Sequence, residues 1–93
     1  RLTMRSGAAM MGDVVSRPPD DRLTLVVRVV GGAGTALEIH GTPGSLLRYP
    51  VTGADEVITM TLDVSGTAYV RAQLVSGAEG DLLHALTNPI YLR

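Results

Sequence analysis

The sequence predicts an all-β domain. Three observations carry this prediction: apolar and polar residues alternate along several segments, clusters rich in Gly, Pro and Asp separate those segments, and no segment holds a helical stripe of apolar residues. Alternation with a period of two is typical of strands that have one buried and one solvated face, as in antiparallel sheets. About seven short strands at spacings of about 8–12 residues favour an immunoglobulin-like antiparallel β-sandwich, with a small β-barrel as the alternative.

Three segments alternate most regularly, and each has an apolar face that we expect to be buried. They are Arg22–Val30, Val57–Val64 and Thr67–Val75, where mostly polar residues occupy the opposite positions. The core is expected to be aliphatic, because the chain has no Phe and no Trp. The residues predicted to be buried are Leu23, Leu25, Val27, Val29, Ile58, Met60, Leu62, Val64, Ala68, Val70, Ala72 and Leu74.

Weaker strand patterns complete the predicted sandwich. They cover Leu2–Arg5, Ala36–His40, Ser45–Val51 and the final stretch Leu82–Leu92. The glycine-rich segment Gly31–Ala36 has the composition of a phosphate-binding loop, but such a loop must lead from a strand into the N-terminus of a helix. Because the residues that follow it are strand-like, we predict a hairpin connection there.

Composition and charge limit the classes of function. The 93 residues suffice for one domain, which we assign to residues 1–93, and the formal net charge of -1 gives no field that would attract nucleic acid or an anionic membrane. No apolar run approaches the ~20 residues of a membrane span. The absence of Cys excludes disulfides and thiolate metal sites and favours a cytoplasmic location. Because strand-like sequence begins directly after Arg1, we expect a fragment of a longer protein.

Few residues have the chemistry of a site. His40 and His84 both lie in strand patterns, and Glu38 lies on the same strand face as His40. A metal site needs further converging ligands, so we predict that both histidines are solvated residues of a strand face and bind no metal or cofactor. Loop carboxylates occur at Asp20, Asp21, Asp55, Glu56, Glu79 and Asp81. Their spacing differs from that of calcium loops and predicts ordinary turn chemistry.

The end of the chain resembles a known family. The segment Thr67–Val75, a short Gly-containing turn and the ending Ala85–Arg93 resemble the C-terminal segment of certain PHP-domain metallohydrolases, of the polymerase-and-histidinol-phosphatase type. The resemblance is closest to the branch with carbamate- and amide-cleaving members, in which a strand like Tyr69–Arg71 precedes a last strand like Thr87–Tyr91. Two upstream segments, Met11–Val15 and Leu37–Gly41, are similar to that family as well.

The resemblance implies a non-catalytic role for this chain. PHP enzymes bind divalent metals through His, Asp and Glu motifs that have no counterpart here, so the implied metals belong to a catalytic domain outside these residues and no catalytic residue can be assigned. The implied function is that of an accessory C-terminal domain that packs on the catalytic domain of the same polypeptide, with a homo-oligomer left open. The alternative is a free-standing immunoglobulin-like adhesion or ligand-binding module.

Within that expectation, Asn88, Pro89 and Tyr91 are the candidate interdomain contacts. Pro89 cannot donate a ladder hydrogen bond, so it must lie at a sheet edge or a bulge. The Asn88 side chain is expected to bond a backbone group that the interrupted ladder leaves open. The pair either protects an edge strand from aggregation or, together with the amphipathic ring of Tyr91, shapes a surface that packs on the catalytic domain.

Overall fold

The computed structural model describes residues 1–7, 9–76 and 82–93, and every regular element among them is a β-strand. That part of the chain therefore holds no helix that could cross a membrane. The strands are β1 (Leu2–Ser6), β2 (Ala9–Met10), β3 (Val14–Val15), β4 (Arg22–Val30), β5 (Ala36–Gly41), β6 (Gly44–Pro50), β7 (Asp55–Asp63), β8 (Tyr69–Ser76), β9 (Leu82–Leu86) and β10 (Ile90–Leu92).

The strands form two sheets that pack as a β-sandwich. The first sheet has the order β2-β1-β4-β7, and the second has the order β3-β10-β8-β5-β6, with β9 also paired to β8. In this arrangement β4 and β7 share one sheet while β5, β8 and the last strand share the other, which is the immunoglobulin-type division of strands. The predicted fold class is confirmed, and no described strand joins the two sheets into the alternative barrel.

Three details differ from the prediction. The described residues form ten strands rather than about seven, because the predicted last strand, Leu82–Leu92, is broken into β9 and β10, and because the two-residue strands β2 and β3 follow β1. The strand β3 pairs with β10 in parallel, so the sandwich is not purely antiparallel. The Gly31–Ala36 segment leads from β4 in one sheet to β5 in the other and is no hairpin; local turn signals do not tell which sheet the next strand joins.

The core follows the period-two pattern closely. Every predicted position in β4 and β7 is buried, and Leu25, Val27 and Val70 are fully inaccessible to solvent. The exception is Ala68, which is exposed, while Thr67 beside it is buried. Both residues precede β8, in a turn closed by a hydrogen bond from the Thr67 N–H to the Val64 carbonyl at 3.0 Å. Strand alternation does not extend into a turn, so the pattern failed there.

Arg17, which lies far from that turn in sequence, binds two of its carbonyl groups. Its half-buried guanidinium donates from Nη1 to the carbonyl of Val64 at 2.6 Å and from Nη2 to the carbonyl of Thr67 at 2.5 Å. A charged donor strengthens such bonds and satisfies carbonyls that no strand pairs. The Thr67 hydroxyl itself is buried with no hydrogen-bond partner among the described residues.

The hairpin of β5 and β6 depends on two glycines. Gly44, the first residue of β6 after the turn, has a φ of 125°, a backbone conformation that side chains disfavour. Gly41 is buried where a Cβ atom would lie 2.6 Å from the Thr67 side chain and 3.1 Å from the Tyr69 carbonyl oxygen. The glycine at the end of Leu37–Gly41 therefore lets β5 approach the turn before β8.

The beginning and the end of the chain are joined beside β8. Between the segment around β3 and the segment around β10, backbone hydrogen bonds of 2.7–3.0 Å run in a continuous series. They link Gly12 N–H to Pro89 O, Tyr91 N–H to Asp13 O, Arg93 N–H to Val15 O and Arg17 N–H to Arg93 O. The strand β3 thus pairs with the edge of β10 that faces away from β8.

The break in the last strand is bridged by Thr87. Its N–H donates to the carbonyl of Ala72 at 2.9 Å, and its hydroxyl oxygen accepts from the N–H of Ala72 at 3.0 Å. Pro89 lies in the break between β9 and β10, outside both strands, rather than at a sheet edge or a bulge, and no ladder hydrogen bond is required of it there. The expectation for Asn88 is wrong, because Asn88 is exposed and the neighbouring Thr87 supplies the side-chain oxygen.

Replacing Thr87 by Val tests this bridge. The change keeps the shape of the buried side chain but leaves the Ala72 N–H without its acceptor, so we expect unfolding to become easier by about 1–3 kcal/mol. Urea titration followed by circular dichroism measures the loss. Thr59→Val on β7, at an exposed position, is the matched control and should change stability by less than about 0.5 kcal/mol. Equal effects of the two substitutions would contradict the bridging role.

Candidate functional site

Polar side chains gather on the outer face of the second sheet. The strand register places Glu38 opposite Gln73 and His40 opposite Arg71, on the neighbouring strands β5 and β8. The residues on either side of them along both strands are mostly buried in the core. Because successive side chains of a strand point to opposite faces, these polar residues point outward together.

A hydrogen-bonded row crosses this face, and we name Glu38, His40, Arg48, Arg71 and Gln73 the polar ladder. Glu38 Oε1 lies 3.0 Å from His40 Nε2 and accepts from Gln73 Nε2 at 2.8 Å. Arg48 Nη1 is 3.5 Å from Glu38 Oε2, and Arg71 Nη1 donates to Gln73 Oε1 at 2.8 Å. A carboxylate only accepts, so the His40 ring donates from Nε2.

The ladder keeps Glu38 ionised. Hydrogen bonds from His40 and then Gln73 hold the pKa of Glu38 below its usual value of 4.5, against the opposing effect of burial. The Glu38 side chain is only 13% exposed. Its lone pairs are largely occupied by neighbouring donors, so it is placed to orient side chains rather than to accept a proton from a substrate.

His40 lies on the outer face as predicted, but it is half-buried and bound to Glu38 instead of freely solvated. Together they offer two ligand-type groups, and the described residues hold no cluster of three or more His, Cys, Asp or Glu that could bind a metal ion. Ser45 lies opposite His40 in the register, but no hydrogen bond joins the two side chains. The described ladder therefore lacks the nucleophile–base contact of a hydrolase.

His84 stands apart from this ladder. It is exposed on β9, where its Nε2 lies 2.6 Å from Ser76 Oγ, and a register shift between β8 and β9 leaves it without a directly opposite residue. His40 lies beside Arg71, whereas His84 lies near Val75, roughly 13 Å further along β8 at about 3.3 Å per residue. The two histidines do not converge.

The strand β9 exposes apolar side chains on both of its faces. Leu82, Leu83 and Leu86 are 61%, 59% and 55% exposed, and β9 pairs with β8 alone among the described strands. The register with Val75 and Gln73 places Leu83 and Leu86 on the same outer face as the ladder. Sequence reasoning missed this surface, although the consecutive Leu82 and Leu83 signal a strand that has no single polar face.

The predicted contact residues lie at the other end of the same face. Tyr91 is 46% exposed and lies opposite Tyr69 on β8 and Val14 on β3, which is also exposed. Asn88 is exposed in the break before β10, and Pro89 is half-buried. The outer face therefore has the leucine end (Leu83 and Leu86), the polar ladder, and the tyrosine end (Tyr69, Tyr91 and Val14).

A second candidate surface lies on the outer face of the first sheet. An open groove of about 410 Å³ runs there over apolar side chains with arginines around them. Arg28 in this groove is held by Asp55, to which its Nη2 donates at 2.7 Å and its Nε at 3.1 Å. The lining residues are Arg1, Thr3, Met4, Arg5, Met10, Val26, Arg28 and Val57.

Two of the predicted loop carboxylates bind backbone groups of neighbouring turns: Asp20 accepts from the Arg22 N–H at 3.2 Å, and Glu56 accepts from the Thr52 N–H at 2.8 Å. Asp55 differs from the prediction, because it lies in β7 and pairs with Arg28, and Asp21 lies 3.8 Å from Arg17. Asp63, at the end of β7, accepts from the Ser65 N–H at 2.9 Å. Such bonds are typical of Asx-type turns and loop closures. Glu79 and Asp81 lie outside the described residues.

No protein-family model, no curated protein and no solved structure matches this chain. The comparisons therefore leave the resemblance to PHP-domain enzymes as a hypothesis.

Acid titration of stability tests the ladder. A carboxyl whose pKa is lower in the folded protein stabilises it fully above the ordinary value of 4.5, and the contribution disappears as the pH falls through the lower folded pKa. We expect Glu38→Gln to be less stable than the native chain at pH 7 and to lose less of its unfolding free energy between pH 5 and about pH 2. Urea titrations at intermediate pH values measure both slopes.

Glu56→Gln serves as the control for this titration. Backbone hydrogen bonds from Gly53 and Thr52 lower the pKa of Glu56 too, but Glu56 lies outside the ladder. Glu56→Gln should remove only the part of the pH dependence of the unfolding free energy that Glu56 itself contributes. The effects of the two substitutions should add in the double variant, as for independent sites. A Glu38→Gln chain with the native acid slope would show that the ladder does not hold an ionised carboxylate.

Proposed function

We propose that the chain is a non-catalytic accessory β-sandwich that docks on the catalytic domain of the same polypeptide through the outer face of its second sheet. The observation that carries this proposal is β9, which pairs with β8 alone among the described strands and has Leu83 and Leu86, each more than half exposed, on that face. Contiguous apolar surface of this kind marks contact sites on proteins.

The composition of the outer face supports a contact with protein. It combines aromatic and aliphatic ends with a central row of polar groups, and tyrosine and arginine are enriched among residues that dominate interface energies. The polar ladder enters such a contact with its hydrogen bonds largely satisfied. Its burial would therefore cost less than that of free charges, because the groups already have partners.

The neighbour that the resemblance favours is the catalytic domain of a PHP-type metal-dependent hydrolase, of the phosphoesterase or the amide- and carbamate-cleaving kind. Support comes from the two segments that carry the resemblance, Tyr69–Arg71 and Thr87–Tyr91. The first lies in β8 and the second extends into β10, and these two strands pair with each other. In this proposal the divalent metals and the hydrolysis belong to the neighbouring domain. This chain contributes packing and shape at the tyrosine end of its outer face.

The groove on the first sheet favours the alternative, a free-standing ligand-binding module. Its arginines and apolar floor would suit an anionic ligand with an apolar body. The sequence upstream of Arg1 distinguishes the two functions, since metal-binding His and Asp motifs there support the accessory domain. A signal peptide or further sandwich repeats there support the module.

Substitution of Tyr91 tests the docking role in the full-length protein. Tyr91→Ala removes an exposed anchor at the tyrosine end, and losing one aromatic anchor from such a contact costs about 1–3 kcal/mol. We expect a lower melting temperature and faster proteolysis between the domains, with the metal content unchanged. Tyr49→Ala is the matched control, because Tyr49 is similarly exposed but lies on β6 at the opposite edge of the sheet.

Deletion of residues 1–93 from the full-length protein gives the broader test. Docking predicts that the truncated protein melts earlier and turns over substrate more slowly while it still binds metal. If the truncated protein is as stable and as active as the intact one, the docking role is wrong. The docking role is also wrong if Tyr91→Ala and Tyr49→Ala lower the melting temperature of the intact protein equally.

A further inference from the structure

The strand β7 has an open edge. It runs for nine residues and pairs with β4 along its whole length, but no other described strand lies beside it. In immunoglobulin-type sandwiches a further strand commonly occupies this position. Here the connection Val51–Ala54 leads directly from the end of β6 to the start of β7 and forms no strand. One row of backbone N–H and C=O groups of β7 is therefore unpaired within the described fold.

The middle of this edge lacks the usual protection against strand addition. Natural edge strands are blunted by charges, by proline, by bulges or by being very short. The stretch Val57–Leu62 has no charge and no proline, its register with β4 is unbroken, and it is rich in β-branched residues. Such a segment favours pairing with another extended chain.

The ends of the strand are acidic. Asp55 and Glu56 stand at its beginning and Asp63 at its end, and β7 contains no basic residue. In a fully overlapped antiparallel pairing with a second copy, Asp55 of each chain would lie opposite Asp63 of the other. Like charges directly opposite each other destabilise a pair of strands. The charge pattern thus disfavours self-pairing in this register and complements a strand with basic ends.

These carboxylates are already positioned by the fold. Asp55 is held by Arg28, Asp63 accepts from the Ser65 N–H, and Glu56 accepts from the backbone of Thr52 and Gly53. All three have a pKa below the usual range, because of hydrogen bonds from Arg28, from Ser65 and from Gly53. They are ionised at neutral pH. Arg22 lies opposite Asp63 on β4 and its charge also lowers the pKa of Asp63, while Glu56 has no cationic hydrogen-bond donor among the described residues.

We propose that β7 is a docking edge for an added β-strand, an extended segment of another polypeptide in which Lys or Arg flanks a run of uncharged residues. The segment pairs antiparallel with β7, continues the first sheet, and places its basic ends against Asp63 and Asp55. Main-chain hydrogen bonds supply the affinity of such strand addition, and the flanking charges supply specificity. This edge belongs to the first sheet and is independent of the docking face on the second.

The probe is a blocked synthetic peptide, RVTVTVTVR, titrated into the isotope-labelled chain and followed by amide resonances. In full antiparallel overlap its terminal arginines lie opposite Asp63 and Asp55, and its valines share the core-facing side with Ile58, Met60 and Leu62. We expect the largest shifts and the strongest new protection from hydrogen exchange at the amides of Val57–Leu62. Binding should weaken as salt rises, because the flanking pairs are exposed.

Two control peptides separate the parts of the proposal. A charge-reversed peptide, EVTVTVTVE, should bind at least about tenfold more weakly, because its ends repel the acidic residues of β7. A version of the arginine peptide that is N-methylated along its central residues should fail to bind, since it cannot form the ladder. Equal binding of the arginine and glutamate peptides would overturn the charge rule, and binding of the methylated peptide would overturn strand addition.

A matched pair of variants tests the protein side. Asp63→Asn keeps an oxygen for the Ser65 N–H but removes the charge, and we expect affinity for the arginine peptide to fall about threefold or more. Asp20→Asn makes the same change at a loop carboxylate outside β7 and should leave the affinity unchanged. Shifts confined to other strands, or a dimer of the chain through β7 seen by sedimentation velocity, would refute the proposed occupant.

Discussion

The pair of hydrogen bonds between Thr87 and Ala72 is the constraint on which the second sheet depends. It lets the last strand break at Asn88 and Pro89 and still lie along β8 on both sides of the break. Before the break the chain runs as β9, which has β8 as its one neighbour among the described strands, and after the break β10 pairs with β3 on its other side. Without this bridge, a proline in the last strand would leave a buried N–H of β8 unpaired, at a cost that a small domain can hardly accommodate.

Much of the first sheet could be predicted from sequence because its information is local. The strands β4 and β7 alternate so strictly that each core position follows from its neighbours, and their pairing keeps one register throughout. The prediction failed where partners are distant in sequence. The side chains of Thr87 and Asn88 can both accept a hydrogen bond from a backbone N–H. The position of Ala72 on the neighbouring strand determines that Thr87 is the acceptor. The exposure of Ala68 likewise follows from a turn that Arg17 fixes from far along the chain.

The polar ladder shows the same division between local and distant information. The closeness of Glu38 and His40 could be foreseen, since residues two apart in a strand share a face. Gln73 and Arg48 join them from β8 and β6, and no pattern within one segment indicates that. The exposure of Leu82, Leu83 and Leu86 does not follow from the sequence for another reason. An apolar residue in a strand is usually buried, but β9 pairs with β8 alone among the described strands, and these side chains are more than half exposed.

The series of hydrogen bonds that joins β3 to β10 has a mechanical consequence. The two strands run in parallel, with β3 near the start of the chain and β10 at its end. A force that draws the two termini apart would pull them past each other, so the bonds of the series would share the load instead of opening one at a time. We therefore expect the sandwich to resist tension applied between its two ends even though this pair is short.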